Sequence, residues 1–333
     1  MRILLGLVLI ACGGGSANPV DAGSSRGDAS SPDGGDAIDA AGADAGADAG
    51  ADVGGSDAGG SDAGVDSGVD AAPPPTEIGG DRPARVVVPE GYDPSEATPL
   101  VILLHGFTAT ARLQDIYFRL SDRVDERGFL LVLPDGTPDA VGNQFWNATP
   151  ACCDFAGTGV DDVAYLTGLI DEMKRFYNVD AQRVYLMGHS NGGFMSYRMA
   201  CDAPETITAI VSFAGSTFND PTLCDAARPT SVLQVHGTLD SVIPYVGALT
   251  RHPSANATVE RFARRAGCSD TERGERLNLD APVLGSETTV ERWTDCDAGL
   301  AAELWSIQGG SHAPVLTSSA TDDILDWLLA QRR

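Results

Sequence analysis

The chain has 333 residues, with 47 Asp or Glu against 22 Lys or Arg and a net charge of −25. So acidic a balance excludes a partner bound through phosphate contacts, which needs clustered Lys and Arg, and no nucleic acid is expected. About 250 residues remain once a low-complexity N-terminal quarter is set aside, close to the size at which a single core stops growing.

Arg2, the apolar run Ile3 to Ile10 and then Ala11-Cys12 are predicted to be an export signal, too short to span a bilayer. Leu9-Ile10-Ala11-Cys12 resembles the bacterial lipobox, so residues 1–11 are assigned as the signal and Cys12 as the lipid-bearing residue. Gly13, rather than Asp, follows the cysteine, which points to the outer membrane or cell surface, with release as a further outcome. The lipid is the sole expected membrane contact. Residues 12–79 read as a tether: from Gly13 to Pro75 there is no aromatic residue, and residues 21–70 carry twelve Asp and one Arg. Such a stretch cannot bury enough apolar surface to order itself, and like charges keep it extended. Its Asp spacing lacks the strict nine-residue pattern of calcium-binding repeats.

Residues 80–333 are predicted to be one α/β domain. Arg85–Val88 is a short strand, and Leu100–Leu104 is an uninterrupted apolar run of the kind found in buried parallel strands. Leu113, Ile116, Tyr117, Leu120 and Val124 fall at helical spacing, which predicts a helix over 113–124. Strands follow at Phe129–Leu133, Val184–Met187, Ile207–Phe213, Ser231–His236 and Glu303–Ile307, with helices at Asp161–Phe176, Gly193–Ala200 and Asp322–Leu329. Alternating strands and helices require a mostly parallel sheet flanked by helices, with chemistry at the carboxyl ends of the strands.

Gly188-His189-Ser190-Asn191-Gly192 directly follows the strand Val184–Met187. A small-x-Ser-x-Gly pentapeptide between strand and helix is a nucleophile elbow, which makes Ser190 the candidate nucleophile and the domain an α/β-hydrolase without a large cap. A serine hydroxyl needs a histidine base held by a carboxylate, in the chain order Ser, Asp or Glu, His. His312 lies after a strand and before the last helix, in Gly309-Gly310-Ser311-His312, and is the expected base. Asp240, on the turn closing Val235-His236-Gly237-Thr238-Leu239-Asp240, is the expected acid. His236 precedes that acid and reads as a buried residue bonding the acid's loop; His252 reads as a surface histidine; His105 reads as structural. The oxyanion N–H groups are assigned to Asn191 and Phe107. There is no HExxH and no short-interval Cys/His cluster, so neither metal nor cofactor is expected.

Besides Cys12 there are six cysteines. Cys268 with Cys296 and Cys201 with Cys224 are the favoured pairs, while adjacent Cys152 and Cys153 either bond each other or take other partners.

Several motifs in order now carry a resemblance over residues 80–333: Leu103-Leu104-His105-Gly106, Pro134-Asp135-Gly136, Phe145-Trp146-Asn147 with Cys152-Cys153, Gly159-Val160-Asp161-Asp162-Val163, the elbow, His236-Gly237-Thr238-Leu239-Asp240 and Gly309–His312. The chain resembles the secreted polyhydroxybutyrate depolymerases and feruloyl or acetylxylan esterases of carbohydrate esterase family one, the LpqC type. The resemblance implies the same triad, Ser190, Asp240 and His312, and an enzyme acting on feruloyl or acetyl esters of plant polysaccharide; a monomer is expected. Polyester depolymerisation is the alternative, and a serine exopeptidase the more distant one, since no cap or propeller is present. A binding protein would have little use for these three residues in this order. Trp146 and His189 are the expected substrate contacts, with core packing the competing role for Trp146. Where this group often carries a tryptophan after the last histidine, this chain has Ala313-Pro314.

Overall fold

The computed structural model describes residues 73–333 apart from Asp225 and Ala298. The signal at 1–11, Cys12 and the tether up to residue 72 lie outside the described residues. In chain order the elements are β1 (Glu77–Ile78), β2 (Ala84–Val87), β3 (Thr98–Leu104), α1 (Ala111–Phe118), α2 (Val124–Arg127), β4 (Leu130–Pro134), β5 (Thr137–Pro138), β6 (Gln144–Phe145), α3 (Asp162–Phe176), β7 (Val179–His189), α4 (Asn191–Asp202), β8 (Ala209–Phe213), β9 (Ser231–Gly237), α5 (Ala255–Arg265), β10 (Asp270–Arg273), β11 (Thr288–Thr294), β12 (Ala302–Ile307) and α6 (Ala320–Leu329).

Ten strands form one sheet in the order β1-β2-β4-β3-β7-β8-β9-β12-β11-β10. From β4 to β12 neighbours run parallel, and the antiparallel pairs sit at the two edges. The apolar runs are uninterrupted because both faces are covered. Leu100, Ile102 and Leu104 of β3 pack in one core with Leu166, Ile170 and Met173 of α3 and with Phe194 and Met199 of α4. The alternate residues Val101 and Leu103 pack in the other, with Phe118 of α1 and Ile324, Leu325 and Leu328 of α6. This is the expected α/β-hydrolase arrangement, a mostly parallel sheet between helices with no large inserted cap.

The helix predicted over 113–124 is broken in the structure. Arg119 adopts φ 57°, and the Asp115 carboxylate takes the N–H and hydroxyl of Ser121, so α1 stops at Phe118. Its buried side is Ala111, Gln114 and Phe118, while Leu113 and Ile116 are 51% and 58% exposed. The sheet also begins just before the boundary drawn at residue 80, since Glu77 and Ile78 pair with β2. All six remaining cysteines are paired: Cys201 with Cys224, Cys268 with Cys296, and Cys152 with its neighbour Cys153. Among the described residues no helix is long and apolar enough to cross a membrane.

Candidate active site

β7 is the long central strand, and it ends in a turn that only small residues allow. A Cβ at Gly188 would sit 2.1 Å from the Gly192 carbonyl oxygen, and one at Gly192 would sit 2.2 Å from that of Leu104. With those side chains absent, α4 starts directly against β3. Ser190 occupies the bend at φ 54°, ψ −116°, a region costly for any residue with a Cβ, and its N–H is fixed to the Phe213 carbonyl at 2.8 Å. Such strain is held in place only because the neighbours over-determine it, and here it lifts the hydroxyl out at the strand ends.

Asp240 is delivered by the turn after β9 and His312 by the loop after β12, two strands that pair in parallel. The two loops are knitted together: the Thr238 hydroxyl accepts from Gly309 N–H, and the Gly310 carbonyl accepts from Leu239 N–H, each at 2.9 Å. Tyr117 adds a hydrogen bond from its hydroxyl to the Pro314 carbonyl. His312 Nδ1 lies 2.7 Å from Asp240 Oδ2, with the carboxylate fully buried and the imidazole 13% exposed. The other carboxylate oxygen accepts the N–H groups of Val242 and Ile243 at 2.8 and 2.9 Å. Burial alone would raise the Asp240 pKa, but the bonds from His236 and His312 and the backbone N–H of Ile243 prevail and hold it well below the usual carboxylate range. An anionic Asp240 places the N–H of His312 at Nδ1 and leaves Nε2 as the acceptor.

The His312 ring lies 5.0 Å from that of His189, the residue beside Ser190. His189 Nε2 donates to the His312 carbonyl at 3.0 Å, and its ring packs among Tyr117, Phe118 and Phe213. Burial, followed by the nearby His312, pushes its pKa down to about 3, so the ring is a neutral donor to the loop of the candidate base. Its Nε2 is committed to the His312 loop, and the residue stays partly exposed beside Ser190.

Trp146 takes the core-packing role, the competing one of its two expected roles. It is fully buried, its Nε1 donates to the His105 carbonyl at 3.0 Å, and its backbone is clamped by both ends of the Asn191 amide. Its ring therefore joins the loop after β3 to the elbow rather than facing a substrate. Asn147 and Asp162, from the neighbouring motifs, serve that anchor: buried Asp162 binds Arg82 and the Asn147 N–H, each at 2.7 Å.

The loop that carries Phe107 passes the elbow that carries Asn191. A Cβ at Gly106 would be 3.4 Å from Ser190 Cβ, so the Phe107 loop runs against the bend. The amides flanking Phe107 are taken, Gly106 by Gln114 Oε1 and Thr108 by the Gln144 carbonyl, and among the described residues the Phe107 N–H has no acceptor. Asn191 opens α4, where backbone N–H groups lack helical partners.

All five histidines of the chain gather at this end of the sheet, which the sequence reading did not anticipate for His252. Far from being a surface residue, it is 5% exposed and meets Phe194 edge-on, because residues 248–252 turn back over the first turn of α4. Gln114 and Gln234 were also missed; a buried glutamine beside a motif histidine leaves no periodic signal. His105, as expected, is buried between the Gly106 carbonyl and the Gly136 N–H. Among the described residues no three His, Cys, Asp or Glu side chains are grouped to hold a metal ion.

Burial lowers the pKa of His105, His189 and His252. An unfolded histidine takes a proton near about pH 6.5, so below that pH the unfolded chain binds more protons and stability falls as the pH falls. The melting temperature is expected to drop steadily from about pH 7 to about pH 4.5, each histidine costing at most about 1.4 kcal/mol per unit. A flat profile over that window would mean these rings are charged in the folded protein.

The family model "Putative esterase" matches residues 76–307. The chain belongs to this esterase family. Among curated relatives it is 28% identical over 65% of its length to the "Putative esterase NocK" of Nocardia uniformis subsp. tsuyamanensis. It is 27% identical over 76% of its length to the bifunctional acetylxylan esterase/xylanase of Neocallimastix patriciarum, and 27% over 68% to feruloyl esterase B of Piromyces equi. The alignments span 65%, 34% and 42% of those three proteins. An acetyl xylan esterase from Aspergillus awamori shares the fold, with TM-score 0.56 at 16% identity, over 76% of this chain and 97% of that one.

Proposed function

We propose that the chain is a serine esterase that hydrolyses carboxylic esters through an acyl-enzyme, with feruloyl or acetyl esters of plant polysaccharide as its substrates. The observation that carries this reading is the 2.7 Å contact of His312 with buried Asp240, beside the strained Ser190 turn. Ser190 Oγ attacks the ester carbonyl while His312 Nε2 takes its proton. The N–H groups of Phe107 and Asn191 hold the oxygen as it gains charge, and the imidazolium then protonates the leaving alkoxide. Water, deprotonated by the same imidazole, releases the acid and restores Ser190.

Phe155 favours an aromatic acyl group. It is 58% exposed, and its ring meets that of Phe107 edge-on at 5.4 Å, beside the proposed oxyanion donor. An aromatic contact worth about 1 kcal/mol is about fivefold in affinity. Phe155→Ala is expected to raise KM for methyl ferulate about fivefold and leave 4-nitrophenyl acetate unaffected. Equal effects on both esters would remove the aromatic preference. The activity itself is tested on a panel of methyl ferulate, acetylated xylan, hydroxybutyrate oligomers and aminoacyl esters. Turnover confined to the oligomers would favour the polyester alternative, and preference for aminoacyl esters would contradict the esterase reading.

We further propose that residues 1–11 act as an export signal and that Cys12 carries the lipid. Metabolic labelling with a fatty acid, lost in Cys12→Ala, tests that placement.

A further inference from the structure

Asp240 Oδ2 faces two imidazoles. Besides His312, His236 Nε2 lies 3.2 Å away and also meets the Ile243 carbonyl at 2.8 Å. The proton positions on His236 follow from its neighbours. Gln234 Nε2 is 2.9 Å from the Gly215 carbonyl, which can only accept, so this end of the amide is the NH₂ group. Its second N–H points to His236 Nδ1 at 3.0 Å, so Nδ1 is the acceptor and Nε2 carries the proton. The result is a directed chain: Gln234 donates to His236, whose one N–H is shared between the Ile243 carbonyl at 2.8 Å and, at 3.2 Å, the oxygen that also accepts from His312. Gln234 and His236 are 0% and 1% exposed, so water does not compete for these bonds.

We propose that His236, its tautomer set by Gln234, is a positioning residue for the reaction: its N–H, shared with the Ile243 carbonyl, is a second one facing Asp240 Oδ2, and it fixes the carboxylate for His312 and tempers its pull on the His312 proton. The inference rests on the triad reading and deepens it. A carboxylate oxygen that already accepts one N–H offers less charge to another. Removing the His236 bond concentrates that charge on His312, so the imidazolium persists to higher pH and the carboxylate loses one of its four N–H restraints. The ionisable groups facing this chain are His189 at the end of β7, Tyr245 edge-on to the His236 ring, and His252 with Arg251 beyond it.

The test is the pH profile of kcat/KM for 4-nitrophenyl acetate, measured on the full chain with His236→Leu, His236→Gln and Gln234→Leu. His236→Leu is expected to move the acidic limb up by about half a unit to one unit and to lower the neutral-pH rate about tenfold. His236→Gln, whose side-chain amide reaches the same carboxylate, is expected to keep the limb within about 0.2 units of wild type. Gln234→Leu retains the ring but frees Nδ1, and is expected to shift the limb in the same direction by less. If His236→Leu does not fold, the other two variants decide the question. Equal activity losses with an unmoved limb in the folded variants would overturn the proposal and leave His236 a packing residue. Wild-type turnover in Ser190→Ala, assayed alongside, would instead overturn the triad reading beneath it.

Discussion

Ser190→Ala is expected to fold normally and to lose about 10⁴-fold or more in kcat for simple esters. The alanine Cβ occupies the same place at φ 54°, so the strained bend, its Phe213 hydrogen bond and the start of α4 persist. Only the hydroxyl is lost, and with it the covalent route; residual rate would come from bound substrate and the oxyanion donors. The checks are hydrolysis of 4-nitrophenyl acetate and a thermal melt, with the melting temperature expected within about 2 °C of wild type, as for a change with no packing effect. A folded variant that kept most of its turnover would exclude Ser190 as the nucleophile.

Gly192→Ala is expected to have the largest effect on stability. Its Cβ would meet Leu104 O at 2.2 Å, Leu104 C at 2.6 Å and His105 O at 2.8 Å, all of them backbone atoms at the end of a central strand. Nothing there can rotate away, so β3 and α4 must separate. The cost is expected to be about 3 kcal/mol or more, a fall of roughly 10 °C in melting temperature, with turnover lost as the Phe107 loop moves off the bend. Gly128→Ala is the matched control: at φ 64° with nothing within 4 Å of its Cβ, it should cost only about 1 kcal/mol. Equal melting temperatures for the two variants would mean that β3 and α4 yield to a Cβ at 192 at little cost, and that the close approach does not demand glycine there.

The same physics explains what could be read without coordinates. Leu100–Leu104 announces a strand buried on both faces, and Gly188 and Gly192 around a serine announce a bend with no room for side chains. The order Ser190, Asp240, His312 implied that the turns after two strands would meet, and β9 and β12 do lie side by side with Asp240 and His312 in contact. Other features depend on partners far along the chain. Leu113 and Ile116 gave a helical stripe, yet Gln114 takes the inner position because it has the Gly106 N–H to bond. Trp146 carries no mark in its own segment that its indole will find the His105 carbonyl. Helix α5 went unnoticed because its inner face is mostly small or polar: Ala255, Thr258 and Ala263 beside Val259 and Phe262. Edge strand β10 escaped notice for a related reason, since all four of its residues are exposed and no burial shapes their pattern.

Covalent trapping tests the proposed chemistry most directly. The full chain is incubated with an organofluorophosphonate, then examined by intact mass and peptide mapping. A single adduct on the peptide containing Ser190 is expected, formed at a rate that falls at least about a hundredfold in His312→Ala and absent in Ser190→Ala. Modification of a different serine, or labelling of Ser190 at an unchanged rate without His312, would contradict a hydroxyl activated by the Asp240–His312 pair.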